Sequence, residues 1–248
     1  MQITSVGILG HGHFGQFVVT LAKRFLPGIE VRVYSRRSKP DGELFYSLAN
    51  TAAADVVILC GSIKGYAAQL QSILPHLLPD SVVVDVATVK KYTTEMFRQR
   101  MGERRWLCCH PMFGAESYRK QQENVDGFRI VVTETTLSDE DYAAARDFLS
   151  GLGFALIEMS ADRHDELLAD TLFMTHYIGQ TMARAGFGRT DIDTVSFQSL
   201  MNSVESVAHD EELFVDVYNH NPYCETAAVR FHEAQREVLD DLLQHKAG

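Results

Sequence analysis

The sequence predicts an α/β domain with a doubly wound sheet, followed by an all-helical half. Strand and helix patterns alternate up to about residue 160, as expected for a sheet covered by helices on both faces. The run at 54–60 is almost continuously apolar, which is typical of a parallel strand buried on both faces. From about residue 162 only long helical patterns follow. With 248 residues, 46% of them apolar, the chain can form two domains, which we place at 1–160 and 161–248.

The composition narrows the possible partners and the compartment. A net charge of −10 argues against nucleic acid and against an anionic membrane surface. No apolar run reaches the roughly 20 residues that span a bilayer, and the first residues lack the pattern of a secretory signal. The cysteines, Cys60, Cys108, Cys109 and Cys224, have no metal-ligand spacing. We therefore expect a cytoplasmic protein with reduced thiols, no metal and a small-molecule substrate.

The first βα unit contains a glycine-rich turn between a short apolar strand and an amphipathic helix. Its GxGxxG spacing, in this position, predicts a Rossmann-type dinucleotide site. Gly10 makes the tight turn, Gly12 lets the backbone approach a pyrophosphate, and Gly15 lets the helix pack on the strand. The phosphates would bind the free N–H groups at the start of the helix. We expect cofactor contacts along the whole turn, with the two histidines acting through their backbone: Gly10, His11, Gly12, His13, Phe14 and Gly15.

The second strand, predicted at 30–34, is followed by Ser35, Arg36 and Arg37. NAD-binding members of this fold have an acidic residue about 20 positions after the glycines, whereas an arginine there accommodates the 2′-phosphate of NADP. A hydroxyl and two guanidinium groups would bind that phosphate, which a carboxylate would repel. The sequence therefore predicts NADP. Without the glycine motif, a solvated basic loop would be the better interpretation.

Further strands are predicted at 82–85, 106–109, 128–133 and 154–158, with a helix beginning near Ser138. Ligands bind at the carboxyl ends of the parallel strands in such sheets. Cys60, Gly61 and Ser62 follow the strand at 54–60, so we expect them to border the nicotinamide. His110 comes immediately after the strand at 106–109. Its ordinary pKa near neutrality suits a general base in a dehydrogenase, and a purely structural histidine is the alternative.

Three segments carry a resemblance to a known family: HPMFGAES at 110–117, DVATVKKY at 85–92 and MSADRHDELLADTLFMTHYIGQ at 159–180. They resemble the prephenate/arogenate dehydrogenase family of tyrosine biosynthesis, and its plant-type arogenate dehydrogenases in particular. The resemblance implies oxidative decarboxylation of a cyclohexadienol, with His110 as the base and Thr88 hydrogen-bonding the ring hydroxyl. It also implies that His176 contacts the substrate side chain or carboxylate, and a core or interface histidine is the alternative for His176. His164 and Asp165 match another pair of the family, which we expect to be structural.

One departure from the family concerns the substrate carboxylate. Many bacterial members bind it with an arginine, but the matching stretch here, 196–202, contains none. Arg129, Arg184, Arg189 or a residue of a partner subunit could replace it. Asp210 matches an acidic residue that, in plant-type members, would favour the ammonium of arogenate over the keto group of prephenate. An ordinary helix cap is the alternative for Asp210.

The helical half has extended apolar faces, so we expect it to form a homodimer interface. Two other functions remain open. A reductase of imines or 3-hydroxy acids has a similar architecture, although it would not require the HPMFG and THYIG motifs. A non-catalytic NADP(H)-binding sensor would bind the cofactor without turnover.

Overall fold

The computed structural model describes residues 3–207 and 210–246. It divides the chain into two compact units, 1–164 and 165–248. The first unit is built on one sheet, and the described part of the second unit is helical. No helix among the described residues is long and apolar enough to cross a membrane.

The sheet has seven strands in the order β2-β1-β3-β4-β5-β6-β7. The strands are β1 Ser5–Leu9, β2 Glu30–Tyr34, β3 Val56–Leu59, β4 Val82–Asp85, β5 Arg105–Pro111, β6 Arg129–Thr135 and β7 Ala155–Glu158. All neighbouring pairs are parallel except β5 with β6. The predicted α/β class with a Rossmann-type sheet is confirmed.

Helices connect most of these strands, and one long helical region follows them. The helices of the first unit are α1 His13–Phe25, α2 Leu48–Ala52, α3 Tyr66–Ile73, α4 Lys90–Arg100, α5 Ala115–Lys120 and α6 Asp139–Gly151. The helices that follow are α7 Ala161–Leu168, α8 Met174–Arg184, α9 Val195–Val207, α10 Glu211–His220 and α11 Cys224–Lys246. A π-helical turn, Ala169–Phe173, joins α7 to α8. The predicted all-helical second half is therefore also confirmed.

One row of residues crosses the five parallel strands near their carboxyl ends. Leu9 pairs with Tyr34 on one side and with Leu59 on the other, Leu59 pairs with Asp85, and Asp85 pairs with Cys108. Since the chain runs in the same direction through all five strands, the segments that follow this row leave the sheet at one edge. We call it the carboxyl edge. The strand order reverses between β1 and β3, which is where open α/β sheets bind their ligands.

Strand β6 runs against β5, a direction that the alternation of strands and helices does not reveal. The ring of Phe113, just after β5, stacks on the ring of Phe128, just before β6, with centroids 4.8 Å apart. This contact brings the ends of the connection together, so the chain returns beside β5 in the opposite direction. The amino end of β6, at Arg129, therefore lies at the carboxyl edge, where the backbone N–H of Met112 donates to the carbonyl of Arg129 (2.9 Å).

A buried ion pair connects β4 to the helix and strand beside it. Nζ of Lys90 lies 2.6 Å from Oδ2 of Asp85, and neither side chain is exposed. The ammonium also donates to the carbonyl of Cys109 (2.7 Å). The Asp85 carboxylate accepts hydrogen bonds from the hydroxyls of Tyr66 (2.6 Å) and Thr93 (2.5 Å). Because every one of these partners is buried, both charges are paired and hydrogen-bonded, as buried charges must be.

Replacing Lys90 with methionine should destabilise the fold strongly. Asp85 would then be a buried carboxylate without a counter-charge, and breaking such a pair costs about 3–5 kcal/mol. The free energy of unfolding from urea titration measures this loss. Lys91→Met is the matched control, because Lys91 pairs with Asp162 at the surface, where an ion pair contributes at most about 1 kcal/mol. Equal losses in the two variants would contradict the role of the buried pair.

Candidate active site

The glycine turn lies at the end of β1, and its three glycines meet different constraints. Gly10 has φ +107°, and a Cβ there would lie 2.7 Å from the carbonyl oxygen of Cys60. A Cβ on Gly15 would lie 2.1 Å from the carbonyl oxygen of Gly10. A Cβ on Gly12 would meet nothing within 4 Å. Gly10 and Gly15 are thus required by packing, whereas Gly12 borders open space at the start of α1.

The start of α1 fits a phosphate group. No side chain of the described residues caps this 13-residue helix, and its first turn contains no acidic residue. Its free N–H groups and positive end are therefore available to an anion. His13 is the exposed first residue of α1, and the ring of His11 lies edge-on to Phe45 at 5.0 Å. Phe14 contacts the ring of Phe17 within the core, so it anchors the turn.

The segment after β3 lies directly beside the glycine turn. The N–H of Cys60 donates to the carbonyl of Leu9 (2.8 Å), and Ser62 is exposed. Burial raises the pKa of the Cys60 thiol, so it stays protonated at neutral pH. A Cβ on Gly61 would lie 2.5 Å from Oε1 of Gln69, so glycine leaves room for that side chain. Cys60, Gly61 and Ser62 therefore border the place where the strand order reverses.

The segment after β2 carries the two predicted phosphate-binding arginines. Arg36 and Arg37 are exposed, and neither forms an ion pair with any residue in the described ranges. Oγ of Ser35 accepts a hydrogen bond from the N–H of Arg37 (3.2 Å), which fixes the turn. The hydroxyl proton of Ser35 can still donate to an anion. This loop presents two positive charges at the carboxyl edge.

The sequence predicted that His110 follows the strand. In the structure His110 lies within β5. Pairing of His110 with Val131 of β6 extends the strand to Pro111, and this pairing depends on the antiparallel direction of β6, which the sequence did not reveal. His110 is buried, with 5% of its surface exposed, and its Nδ1 lies 2.9 Å from Nε2 of His164. Burial, followed by the nearby His164 and Lys90, lowers the pKa of His110 well below 6.5. The imidazole is therefore neutral at pH 7.

The residues after His110 hold this part of the strand in place. Phe113 stacks on Phe154 as well as on Phe128, with centroids 5.5 Å apart. Oγ of Ser117 accepts from the N–H of Gly114 (3.0 Å) at the start of α5. The HPMFGAES motif thus combines one candidate base with residues that fix its backbone. His164 was expected to be structural, and its direct contact with His110 could not be predicted from the sequence, because the two residues are 54 positions apart.

Thr88 lies in the loop between β4 and α4, which leaves the sheet at the carboxyl edge, and β4 is the neighbour of β5. Asp85 of β4 pairs with Cys108 of β5. Thr88 comes three residues after Asp85, and His110 comes two residues after Cys108. The Thr88 hydroxyl forms no hydrogen bond to any residue that the structure describes. It is half-buried and remains available to a ligand. Two neighbouring strands therefore supply a hydroxyl and a neutral imidazole at one edge.

The second unit contains His176 and Asp210. His176 is 5% exposed, its ring stacks on Phe214, and its Nδ1 has no hydrogen-bond partner among the described residues. Burial lowers the pKa of His176, and the charge of Asp210 opposes this shift. Asp210 precedes α10, but its side chain forms no cap hydrogen bond. The geometry therefore gives no support to an ordinary capping role for Asp210.

The three arginines considered as carboxylate ligands differ in their surroundings. Arg189 is engaged, with Nε 2.6 Å from Oε1 of Glu205. Arg129 and Arg184 are exposed and form no ion pair with the described residues. Val131 lies opposite His110, and Arg129 is two residues before Val131, so the side chains of Arg129 and His110 leave the same face of the sheet. Arg129 is therefore on the same face of the sheet as the candidate base.

Known families and individual proteins are similar to this chain over most of its length. The family model "Prephenate dehydrogenase, nucleotide-binding domain" matches residues 43–158, and the model "TYRAAT1-like, C-terminal domain" matches residues 181–248. Arogenate dehydrogenase 1, chloroplastic, of Arabidopsis thaliana is 30% identical over 96% of this chain, which spans only 39% of that protein. Arogenate dehydrogenase 2, chloroplastic, of the same plant is 28% identical, with 96% of this chain and 71% of the relative covered.

A solved structure shows the same fold. Prephenate dehydrogenase from Aquifex aeolicus, in complex with hydroxyphenyl propionate and NAD+, has a TM-score of 0.77 to this chain at 16% sequence identity. The match covers 100% of this chain and 93% of that one. At this identity the likeness concerns the fold alone.

Proposed function

Because this chain is similar to prephenate and arogenate dehydrogenases, we propose that it is a member of their family and that it catalyses the NADP-dependent oxidative decarboxylation of arogenate, of prephenate, or of both. One observation carries the proposal. The glycine turn, the Ser35 loop, Thr88 and His110 all follow the row of paired residues that crosses the five parallel strands. A dinucleotide site, a hydroxyl and a neutral base thus share one edge.

The proposed chemistry requires one proton to be removed and later returned. His110 takes the proton of the substrate ring hydroxyl, because its lowered pKa keeps the imidazole neutral and able to accept. Thr88 donates a hydrogen bond to the same oxygen. A nicotinamide cofactor held at the glycine turn would supply the acceptor for the hydride that leaves the carbon carrying this oxygen. The carboxylate across the ring then leaves as CO2, and His110 returns its proton to the oxygen of the aromatic product.

The cofactor preference is proposed from the loop after β2. Arg36 and Arg37 present guanidinium groups without ion-pair partners among the described residues, and Ser35 replaces the acidic residue that would repel a 2′-phosphate. Charge-assisted hydrogen bonds from these groups would favour NADP over NAD.

The substrate preference is proposed from the second unit. Arogenate carries an ammonium where prephenate carries a keto group. Asp210 is an exposed carboxylate whose charge reaches His176, and its side chain is not used as a cap. We propose that Asp210 pairs with the ammonium of arogenate and that His176 contacts the side chain of the substrate.

We further propose that Arg129 binds a substrate carboxylate. Its side chain leaves the sheet on the same face as His110, and diagonal neighbours on paired strands lie about 7–8 Å apart. This separation suits a substrate whose hydroxyl and carboxylate are on opposite sides of one ring. Arg189 is less suitable, because it is bound to Glu205.

A homodimer and a cytoplasmic location remain predictions. Helix α11 exposes more than half of each of four apolar side chains on one side, which fits an interface between two copies: Val238, Leu239, Leu242 and Leu243. A monomer in solution would contradict this interface. The names of both Arabidopsis relatives place those proteins in the chloroplast.

His110→Asn should abolish turnover while cofactor binding is unchanged, because a general base contributes about 10²–10⁴-fold to the rate. Reduced nicotinamide, followed by absorbance with each substrate and each cofactor, measures the activity. For the wild-type protein, kcat/KM should stay level as the pH falls from 7 to 6.5, and decrease only below it, since the pKa of His110 is lowered. His76→Asn, at an exposed site, is the control. A wild-type protein that binds NADP+ without turning over either substrate would overturn the proposal and favour a sensor.

Arg36→Ala combined with Arg37→Ala should raise the KM for NADP+ by about 10- to 100-fold, because a hydrogen bond to a charged group contributes about 1.5–3 kcal/mol. The KM for NAD+ should change little, since NAD+ has no 2′-phosphate. Arg100→Ala, at the exposed end of α4, is the matched control. Equal effects on the two cofactors would show that the arginines do not read the 2′-phosphate.

Asp210→Asn and Arg129→Ala should have different effects on substrate choice. Loss of the Asp210 charge should lower kcat/KM for arogenate roughly tenfold, as expected for a hydrogen bond to a charged group, and leave prephenate unaffected. Loss of Arg129 should raise KM for both substrates alike, because both carry the carboxylate. Glu211→Gln, at the next exposed acidic residue, is the control. An unchanged substrate ratio in Asp210→Asn would exclude Asp210 from the choice.

A further inference from the structure

We propose that His164 is a positioning residue that fixes which ring nitrogen of His110 carries the proton. This role rests on the proposed function, in which His110 is the base. Nδ1 of His110 and Nε2 of His164 lie 2.9 Å apart, which is hydrogen-bond distance. The two residues are 5% and 3% exposed, so water does not compete for this contact.

The direction of this single hydrogen bond decides whether His110 can accept a proton. A neutral imidazole has one protonated and one unprotonated nitrogen. When Nδ1–H of His110 donates to Nε2 of His164, the lone pair of His110 is on Nε2. Nε2 has no hydrogen-bond partner among the described residues, so it is left for the substrate. In the opposite direction Nε2 would carry the proton and could only donate.

The surroundings hold His164 firmly in this position. It lies in the first turn of α7, and its N–H donates to the carbonyl of Ser160 (2.9 Å). The N–H of Met159, the residue before Ser160, donates to the carbonyl of Val132 on β6 (3.1 Å). The start of α7 is therefore tied to the strand that pairs with β5, and the two imidazoles are held at a fixed distance.

An imidazole suits this task better than a carboxylate does. A buried carboxylate beside His110 would favour the protonated ring and raise its pKa. His164 can accept the Nδ1 proton without adding a negative charge. The charged group that also acts on His110 is Lys90, which disfavours a second positive charge nearby. His110 is thus oriented and kept neutral at the same time.

The test compares His164→Leu, which removes the acceptor, with His164→Gln, which retains one. His164→Leu should lower kcat by about 10- to 100-fold, the loss seen when the hydrogen-bond partner of a metal-binding histidine is removed. KM and NADP+ affinity, measured by binding without substrate, should change less than twofold. His164→Gln should recover most of kcat, because its amide oxygen can accept from Nδ1–H. A loss of kcat in His164→Leu that His164→Gln does not recover, or no loss in either, would overturn the proposal.

A second measurement separates this inference from the proposed function. Ring ¹⁵N chemical shifts distinguish protonated from unprotonated nitrogens, and the His110 signals are identified by their loss in His110→Asn. Without substrate, the wild-type protein should show a proton on Nδ1 of His110. The His164→Leu variant should show a mixture of the two protonated forms of the His110 ring. A proton on Nε2 in the wild type would overturn the inference. If the expected shifts occur but neither substrate reacts, the proposed reaction fails while the positioning stands.

Discussion

Asp85 and Lys90 form an ion pair without solvent exposure at the point where β4 ends and α4 begins. Lys90 also donates to the carbonyl of Cys109, the residue before His110, and Asp85 accepts from Tyr66 at the start of α3. The pair therefore connects the ends of β4 and β5 to the helices beside them. A buried charge without its partner would lower the stability of the fold. Both charges are paired and hydrogen-bonded only when all of these segments are in place.

The carboxyl edge depends on this arrangement because the functional side chains come from different strands. Gly10 follows β1, Ser35 follows β2 and Thr88 follows β4, while His110 belongs to β5 itself. The register of the sheet brings them to one level, but it does not fix the last residues of each strand. Lys90 fixes the β4 and β5 ends, and the stack of Phe113 on Phe128 and Phe154 fixes the continuation of β5. The positions of the functional side chains at the carboxyl edge therefore depend on contacts in the buried core.

The sequence predicted the parts of this protein that depend on local pattern. The glycine turn and the strand at 30–34 are local, and the structure contains both of them. The antiparallel direction of β6 was not predictable, because it depends on a contact between Phe113 and Phe128, 15 residues apart, that leaves no periodic signal. The contact of His164 with His110 was missed for the same reason. A histidine on a helix gives no sign of which strand its ring will meet.

The two candidate histidines, His110 and His176, are both buried but have different charged neighbours. Both have a lowered pKa, since desolvation disfavours the charged ring. His110 is next to His164 and Lys90, which oppose protonation further, so it stays a neutral acceptor over a wide pH range. The charge of Asp210 favours protonation of His176, and Nδ1 of His176 lacks a partner among the described residues. One imidazole is thus suited to accept a proton and the other to respond to a charged group. This is the division of roles that a base and a substrate-binding histidine require.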